Sequence, residues 1–251
     1  MLSAAKAREA MQMAYRMTFR RYELKFMLTL AQKQELLRVM EPYMERDEYG
    51  RTTIRNLYYD TDSYRLVRRS MERPDYKEKL RVRSYGTAKA TDPVFVELKK
   101  KYDHVVYKRR LVLPEQTAMA WLAGDAAAPD TQIGREIDYF CSFYQNLQPR
   151  VFLSYEREAF ASRDGSDFRV TFDDQILMRQ TKLSLSVGAW GTPLLPPGYV
   201  LLELKTAGGI PLWMTRFLSE QKIRKTSFSK YGTAYENVIF PHLNEGVKQY
   251  A

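Results

Sequence analysis

Alternation at period two dominates the middle of the chain. Leu80 with Val82, Val96 with Leu98, Val170 with Phe172 and Leu202 with Leu204 recur at i, i+2, as do Leu24 and Phe26 near the start. Residues two apart on a strand share a face, so each segment predicts a strand with one apolar face that needs cover. Helical spacing is confined to a few places. Thr29 followed by Gln32 forms a capping box ahead of Leu36, Leu37 and Met40, and Pro42 closes that helix. Further helices are expected from Pro114 through Met119, Trp121 and Leu122, and over 133–147, with Ile137, Phe140, Cys141 and Tyr144 on one face. The segments 211–223 and 231–239 complete the set. Turn signals at Tyr49-Gly50, Tyr85-Gly86, Asp92-Pro93, Arg163-Asp164-Gly165-Ser166 and Pro196-Pro197-Gly198 separate the strands. The pattern is α+β: an antiparallel sheet with a few helices packed outside.

The faces opposite the apolar ones carry the chemistry. Glu23 and Lys25, Arg81 and Arg83, Glu97 and Lys99, Tyr155 and Arg157, Arg169 with Thr171 and Asp173, and Glu203 and Lys205 each share a strand face. A solvated face usually scatters Ser, Thr, Gln and Glu, whereas these strands repeatedly set a carboxylate or ring beside a Lys or Arg. Charge then sharpens the picture. The 251 residues carry a formal net charge of +10, and the window 81–110, which includes Lys108, holds nine basic and three acidic residues. If the sheet closes, these side chains converge in a lumen. Buried like charges are costly without a counter-ion, so a lumen of Lys and Arg implies a polyanion, and phosphate chains suit the donors of Arg and the compact charge of Lys.

Composition narrows the rest. One cysteine, Cys141, excludes a disulfide framework and a thiolate zinc site, and its place on an apolar helix face makes it an inert core thiol. Two histidines, His104 and His242, leave any cation to carboxylates. The most apolar stretch, 187–204, is cut by Pro193, Pro196 and Pro197, so no transmembrane segment is expected, and the first fifteen residues lack the apolar core of a secretory signal. A cytoplasmic protein is expected.

Seven ordered segments carry a family resemblance: Arg21-Tyr22-Glu23-Leu24-Lys25-Phe26, Tyr58-Tyr59-Asp60-Thr61, Lys79-Leu80-Arg81-Val82-Arg83, Glu97-Leu98-Lys99, Ser154-Tyr155-Glu156-Arg157, Leu202-Glu203-Leu204-Lys205 and Ser227-Phe228-Ser229-Lys230. No one segment is specific, but the ordered set resembles the VTC domain, the catalytic domain of polyphosphate polymerases within the CYTH-like triphosphate tunnel metalloenzyme superfamily. The resemblance spans 18–245 and leaves 1–17 as a helical extension. It implies a closed, antiparallel eight-stranded barrel whose tunnel takes ATP and inorganic polyphosphate, and transfer of the γ-phosphoryl of ATP to the growing chain with Mn²⁺ or Mg²⁺. Carried over by position, Lys25, Arg81, Arg83, Lys99, Arg157 and Lys230 resemble the phosphate-binding lumen and Glu203 the metal-binding carboxylate. Tyr155 and Ser229 resemble hydroxyl donors to phosphate, and Lys205, Lys108 and Arg169 are assigned with them to substrate. Lys101 stands where better-known members have His, and Ser227 where a second Lys is often seen.

Chemistry fits the assignment. A terminal phosphate is already ionised near neutral pH and needs neutralisation and alignment more than a general base. Lys25 is the expected partner of the transferred phosphoryl, and Glu97, Glu156 and Asp173 either share the metal or only pair with lumen cations. Arg21 replaces the first Glu of the Glu-x-Glu-x-Lys typical of superfamily triphosphatases and cyclases, which favours polymerisation over two-metal hydrolysis. Two alternatives stand: a triphosphatase, and a non-catalytic module binding polyphosphate or nucleic acid. Nucleic acid is disfavoured, because Glu23, Glu97, Glu156 and Glu203 would repel its backbone. A membrane partner that receives the product stays open.

Overall fold

The computed structural model describes residues 22–103 and 105–243; the expected N-terminal extension, Arg21 and His104 lie outside them. The long strands are β1 (Tyr22–Thr29), β2 (Met44–Asp60), β3 (Tyr76–Tyr85), β4 (Pro93–Tyr102), β5 (Val105–Pro114), β6 (Gln148–Ser162), β7 (Arg169–Arg179) and, after the two-residue β8 (Thr192–Pro193), β9 (Tyr199–Thr206). A second two-residue strand, β10 (Lys225–Thr226), follows. They form one antiparallel sheet in the order β10-β1-β9-β7-β6-β2-β3-β4-β5, with β8 on β7.

The expectation of a closed barrel is corrected here. Among the described residues the ladder is open, ending at β5 on one side and β10 on the other. The middle of the outer edge of β1, at Lys25 and Phe26, pairs with β10, which takes the place where β5 would have to meet it. The sheet nevertheless curls: Lys99 on β4 comes within 3.7 Å of Glu23 on β1, near the other end of the strand order. Strand twist accumulating across so many strands brings the two ends face to face.

Helices cover the convex side and part of the concave one. In α1 (Leu30–Met40) the capping box is formed: Thr29 Oγ1 accepts the Gln32 N–H and Gln32 Oε1 accepts the Thr29 N–H. α2 (Arg65–Met71) was not signalled, since its N-cap residue Tyr64 offers no side-chain cap. Its first N–H groups are instead satisfied from upstream, Leu66 and Val67 by the buried Asp60 carboxylate and Arg65 by Thr61 Oγ1. α3 (Glu115–Ala123), α4 (Gln132–Tyr144), α5 (Leu212–Glu220) and α6 (Lys230–Ala234), which runs into a π-helical turn at Tyr235–Ile239, match the expected segments to within a few residues. Gly50 is not a chain reversal. It sits inside β2 at φ +59°, in a register slip between Arg46 and Arg51, where a glycine lets the strand bulge.

Three apolar clusters follow. One packs α3 and α4 on the convex face of β2, β3 and β4, around Leu80, Val82, Leu98 and Trp121. A second packs α1 and α5 on β1, β7 and β9, around Phe172, Leu202 and Leu204. These are the faces read from period-two alternation, and each fully buried Leu or Val there contributes about 1.5–3 kcal/mol. The third lies on the concave side, where Val151, Leu153, Tyr155 and Leu201 pack against α2, α6 and the π turn through Val67, Tyr231, Tyr235 and Ile239. One part of the concave face is thus filled with apolar side chains, and the charges occupy the remainder. Among the described residues no helix is long and apolar enough to cross a membrane.

Candidate functional site

Strand parity sends the charged residues inward, and they gather around four carboxylates. On β4, Glu97 is buried and holds cations from both neighbouring strands: Arg81 Nη2 at 2.7 Å, Lys108 Nζ at 2.7 Å and Arg110 Nε at 2.7 Å, with Arg83 at 4.0 Å. Ladder register explains the convergence, because Arg81 and Arg110 lie directly opposite Glu97 on β3 and β5. On β7, fully buried Asp173 takes Arg157 through two bonds of 2.6 Å and Lys230 at 2.6 Å. On β9, Glu203 is reached by Lys230 at 3.0 Å, Arg157 at 3.3 Å, Lys25 at 3.7 Å and Lys205 at 3.9 Å. Lys25 also sits 3.3 Å from Glu23, so it stands between two carboxylates.

The segment 228–230 crosses this face. Lys25 Nζ donates to the Phe228 carbonyl at 3.1 Å, and Ser229 Oγ accepts from both Lys79 Nζ and the Gly232 N–H at 3.3 Å. Both hydroxyl lone pairs of Ser229 are then used, which leaves its proton as the group still able to donate. Tyr155 has a similar arrangement, its hydroxyl accepting from Arg83 Nη2 at 3.0 Å. Arg83 is steadied by Asn56 Oδ1 at 2.9 Å and Arg81 by the Tyr58 hydroxyl at 3.0 Å.

The electrostatics follow from crowding. Burial alone would raise the carboxyls of Glu97, Asp173 and Glu203, but the cations outweigh it and hold all three below the usual carboxylate range. Burial pushes the ammonium groups of Lys79, Lys108 and Lys205 down to about 8; nearby cations add to this, and Tyr58, Glu97 and Glu203 respectively offset part of it. Lys230 goes the other way: burial would lower it, but Asp173 and Glu203 hold it above its ordinary value.

Of the residues singled out from sequence, Lys25, Arg81, Arg83, Lys99, Lys108, Tyr155, Arg157, Glu203, Lys205, Ser229 and Lys230 share this one concave face. Arg169 lies at its rim, exposed and opposite Lys205 in the ladder. Glu156 does not belong to it: odd-numbered Tyr155 and Arg157 face inward, so Glu156 faces outward and accepts from Thr53 Oγ1 at 2.6 Å. Lys79 and Arg110 were missed, although each lies two residues from a chosen cation. Thr171 was missed as a site residue as well; its Oγ1 is buried without a hydrogen-bond partner on the strand that carries Asp173, and Glu203 lies opposite it. Cys141 keeps a thiol that burial pushes up to about 11, as expected of an inert position.

Carboxylates are the donors available for a cation. Among the described residues no three His, Cys, Asp or Glu side chains form a group able to hold a metal by themselves. Glu23 and Glu203 lie on either side of the Lys25 ammonium, at 3.3 and 3.7 Å, and carboxylate oxygens are the donors that suit a hard cation.

Solved structures show the same architecture. A Bacillus halodurans protein provisionally named an adenylate cyclase aligns with a TM-score of 0.53 at 15% identity, over 82% of this chain and 92% of its own. A Hippeastrum protein, provisionally named an adenylyl cyclase and described as having a dominant triphosphatase activity, aligns with a TM-score of 0.51 at 15% identity, over 83% and 92%. At that identity the likeness is one of fold. No curated protein matches the sequence. The VTC domain does match, over residues 20–239, a span that takes in every strand and the whole of the charged face, and the chain belongs to that family.

Proposed function

We propose that the protein is a polyphosphate polymerase that transfers the γ-phosphoryl of ATP to the end of a polyphosphate chain held on the concave face. The observation that carries this reading is the face itself, where Lys and Arg outnumber carboxylates and every carboxylate already touches at least two cations. Such a surface retains a phosphate polymer. Two anions must be brought into line, and the work falls to positioning and charge neutralisation. Lys25 meets the transferred phosphoryl. Arg81, Arg83 and Lys108 grip one phosphate run, and Arg157, Lys205 and Lys230 grip the other, with Lys99 and Arg169 toward the rim. Tyr155 and Ser229 donate their remaining protons to phosphate oxygens. Glu203, with Glu23, would hold Mn²⁺ or Mg²⁺, which when bound supplies further neutralisation of the nucleotide phosphates.

Incubation of the purified protein with ATP and Mn²⁺ is expected to give ADP and a phosphate polymer resolved by size on a gel. Hydrolysis of a triphosphate is the second reading, favoured by the activity described for the Hippeastrum protein. ADP with orthophosphate alone would establish it in place of polymerisation, and no ADP at all would leave a binding module.

A pH prediction follows from the lysines. With Lys79, Lys108 and Lys205 at about 8, each is largely neutral at pH 9 in the free protein. A bound polyanion favours their charged forms, so binding takes up protons and affinity falls as pH rises from 8 to 10. Titration calorimetry of tripolyphosphate at pH 9, in buffers of different ionisation enthalpy, is expected to show net proton uptake. Proton release, or affinity independent of pH over that range, would contradict the assignment.

A further inference from the structure

At one rim the charged face gives way to aromatic surface. Tyr85 lies two residues beyond Arg83 on β3, and Phe95 lies two before Glu97 on β4, so both share the face of the cations. Their rings meet edge to face, with centroids 5.5 Å apart and planes at 88°. Val112 on β5 is the ladder partner of Phe95. Tyr85 is 50% exposed and Val112 55%, and neither they nor Phe95 belong to any of the three apolar clusters. Single exposed apolar residues are ordinary; what sets these apart is their neighbour. The Arg110 guanidinium lies 4.6 Å over the Phe95 ring while its Nε donates to Glu97 Oε1, the carboxylate that also holds Arg81 and Lys108. Aromatic surface thus runs without a break into the cation cluster.

We propose that Tyr85, Phe95 and Arg110 form a base-binding subsite for a nucleoside triphosphate whose phosphates lie among Arg81, Arg83 and Lys108. The inference rests on the phosphate-binding reading of the concave face and on ATP as its donor, and adds the place of the base: the rim where Tyr85 and Phe95 adjoin the cations. A planar base laid against the exposed Tyr85 ring covers apolar surface that no core uses, and the guanidinium of Arg110 adds a second flat, cationic surface beside it. Stacking of this kind is tolerant of base identity, because every base has a π-face.

The test compares two ligands on the full chain. Titration calorimetry would measure a non-hydrolysable β,γ-imido analogue of ATP and inorganic tripolyphosphate against the wild type, Tyr85→Ala, Tyr85→Phe and Tyr85→Ala/Phe95→Ala. The Tyr85→Ala change is expected to weaken the analogue by roughly tenfold and the double change by more, with tripolyphosphate within about twofold throughout. Tyr85→Phe keeps the ring and is expected to bind the analogue as the wild type does, which separates stacking from hydroxyl loss and from misfolding. An equal loss of both ligands, or no loss of the analogue, would overturn the subsite. Wild-type protein that fails to bind tripolyphosphate would overturn the phosphate reading of the face, and the subsite with it, by a separate route.

Discussion

Asp173→Ala is expected to cost about 3–5 kcal/mol of stability, the scale for removing one partner of a buried ion pair. Asp173 is fully buried, and its two oxygens compensate Arg157 and Lys230, themselves nearly buried. Without it those cations keep the Tyr155 ring and one carboxylate, Glu203, which is already shared with Lys25 and Lys205. For a chain of this size the loss corresponds to a fall in Tm of roughly 6–20 °C. Chemical denaturation of the variant beside the wild type measures it, and a difference below about 1 kcal/mol would refute the idea that Asp173 balances the site. The pH dependence has a definite sign. The carboxyl is held below its unfolded value, so its contribution is complete above the ordinary carboxylate range and is lost as pH falls through the depressed pKa. The gap between wild type and variant should therefore persist at pH 5 and narrow only under stronger acid.

Glu203→Gln is expected to lower kcat by about 10²–10³-fold, the scale for losing one preorganised electrostatic partner of the reacting group. The substitution keeps shape and removes charge, and Asp173 still holds Arg157 and Lys230, so the fold should survive better than in Asp173→Ala. Its signature is a split between turnover and binding. Metal-free tripolyphosphate should bind the variant as well as the wild type or more tightly, since the face has lost a negative charge. Turnover with Mn²⁺ should collapse. Unchanged turnover would remove Glu203 from the metal site, and a loss confined to tripolyphosphate binding would recast it as a scaffold for the cations.

Much of the concave face was legible because side-chain direction on a strand depends on parity alone. Lys25, Arg81, Arg83, Arg157, Glu203 and Lys205 share one face for that reason, and Glu156 fails to join them for the same reason. Lys79 was open to the same logic, lying two residues from Arg81 within a recognised segment. Arg110 carries the equivalent signal beside Lys108. Barrel closure was not legible, because it depends on which strand meets the outer edge of β1, and the two-residue β10 has no pattern of its own. The helix α2 was hidden because its cap comes from Asp60, six residues before Leu66, outside the window in which capping signals are read. Gly50 reads as a turn in any window, since a positive φ is needed at a bulge and at a reversal alike.

The crossing segment 228–230 has a consequence for how the chain comes to life. Lys25 donates to a carbonyl 203 residues further on, and β1 finds its long partner only in β9. A nascent chain therefore carries β1, with Phe26 on its buried face and its edges unpaired, until β9 and β10 have been synthesised. Contacts of such long range make folding slow and leave partly made chains open to association. The cation array is also incomplete until Lys230 has emerged, so the polyanion that suits the finished face has little to hold on an unfinished one.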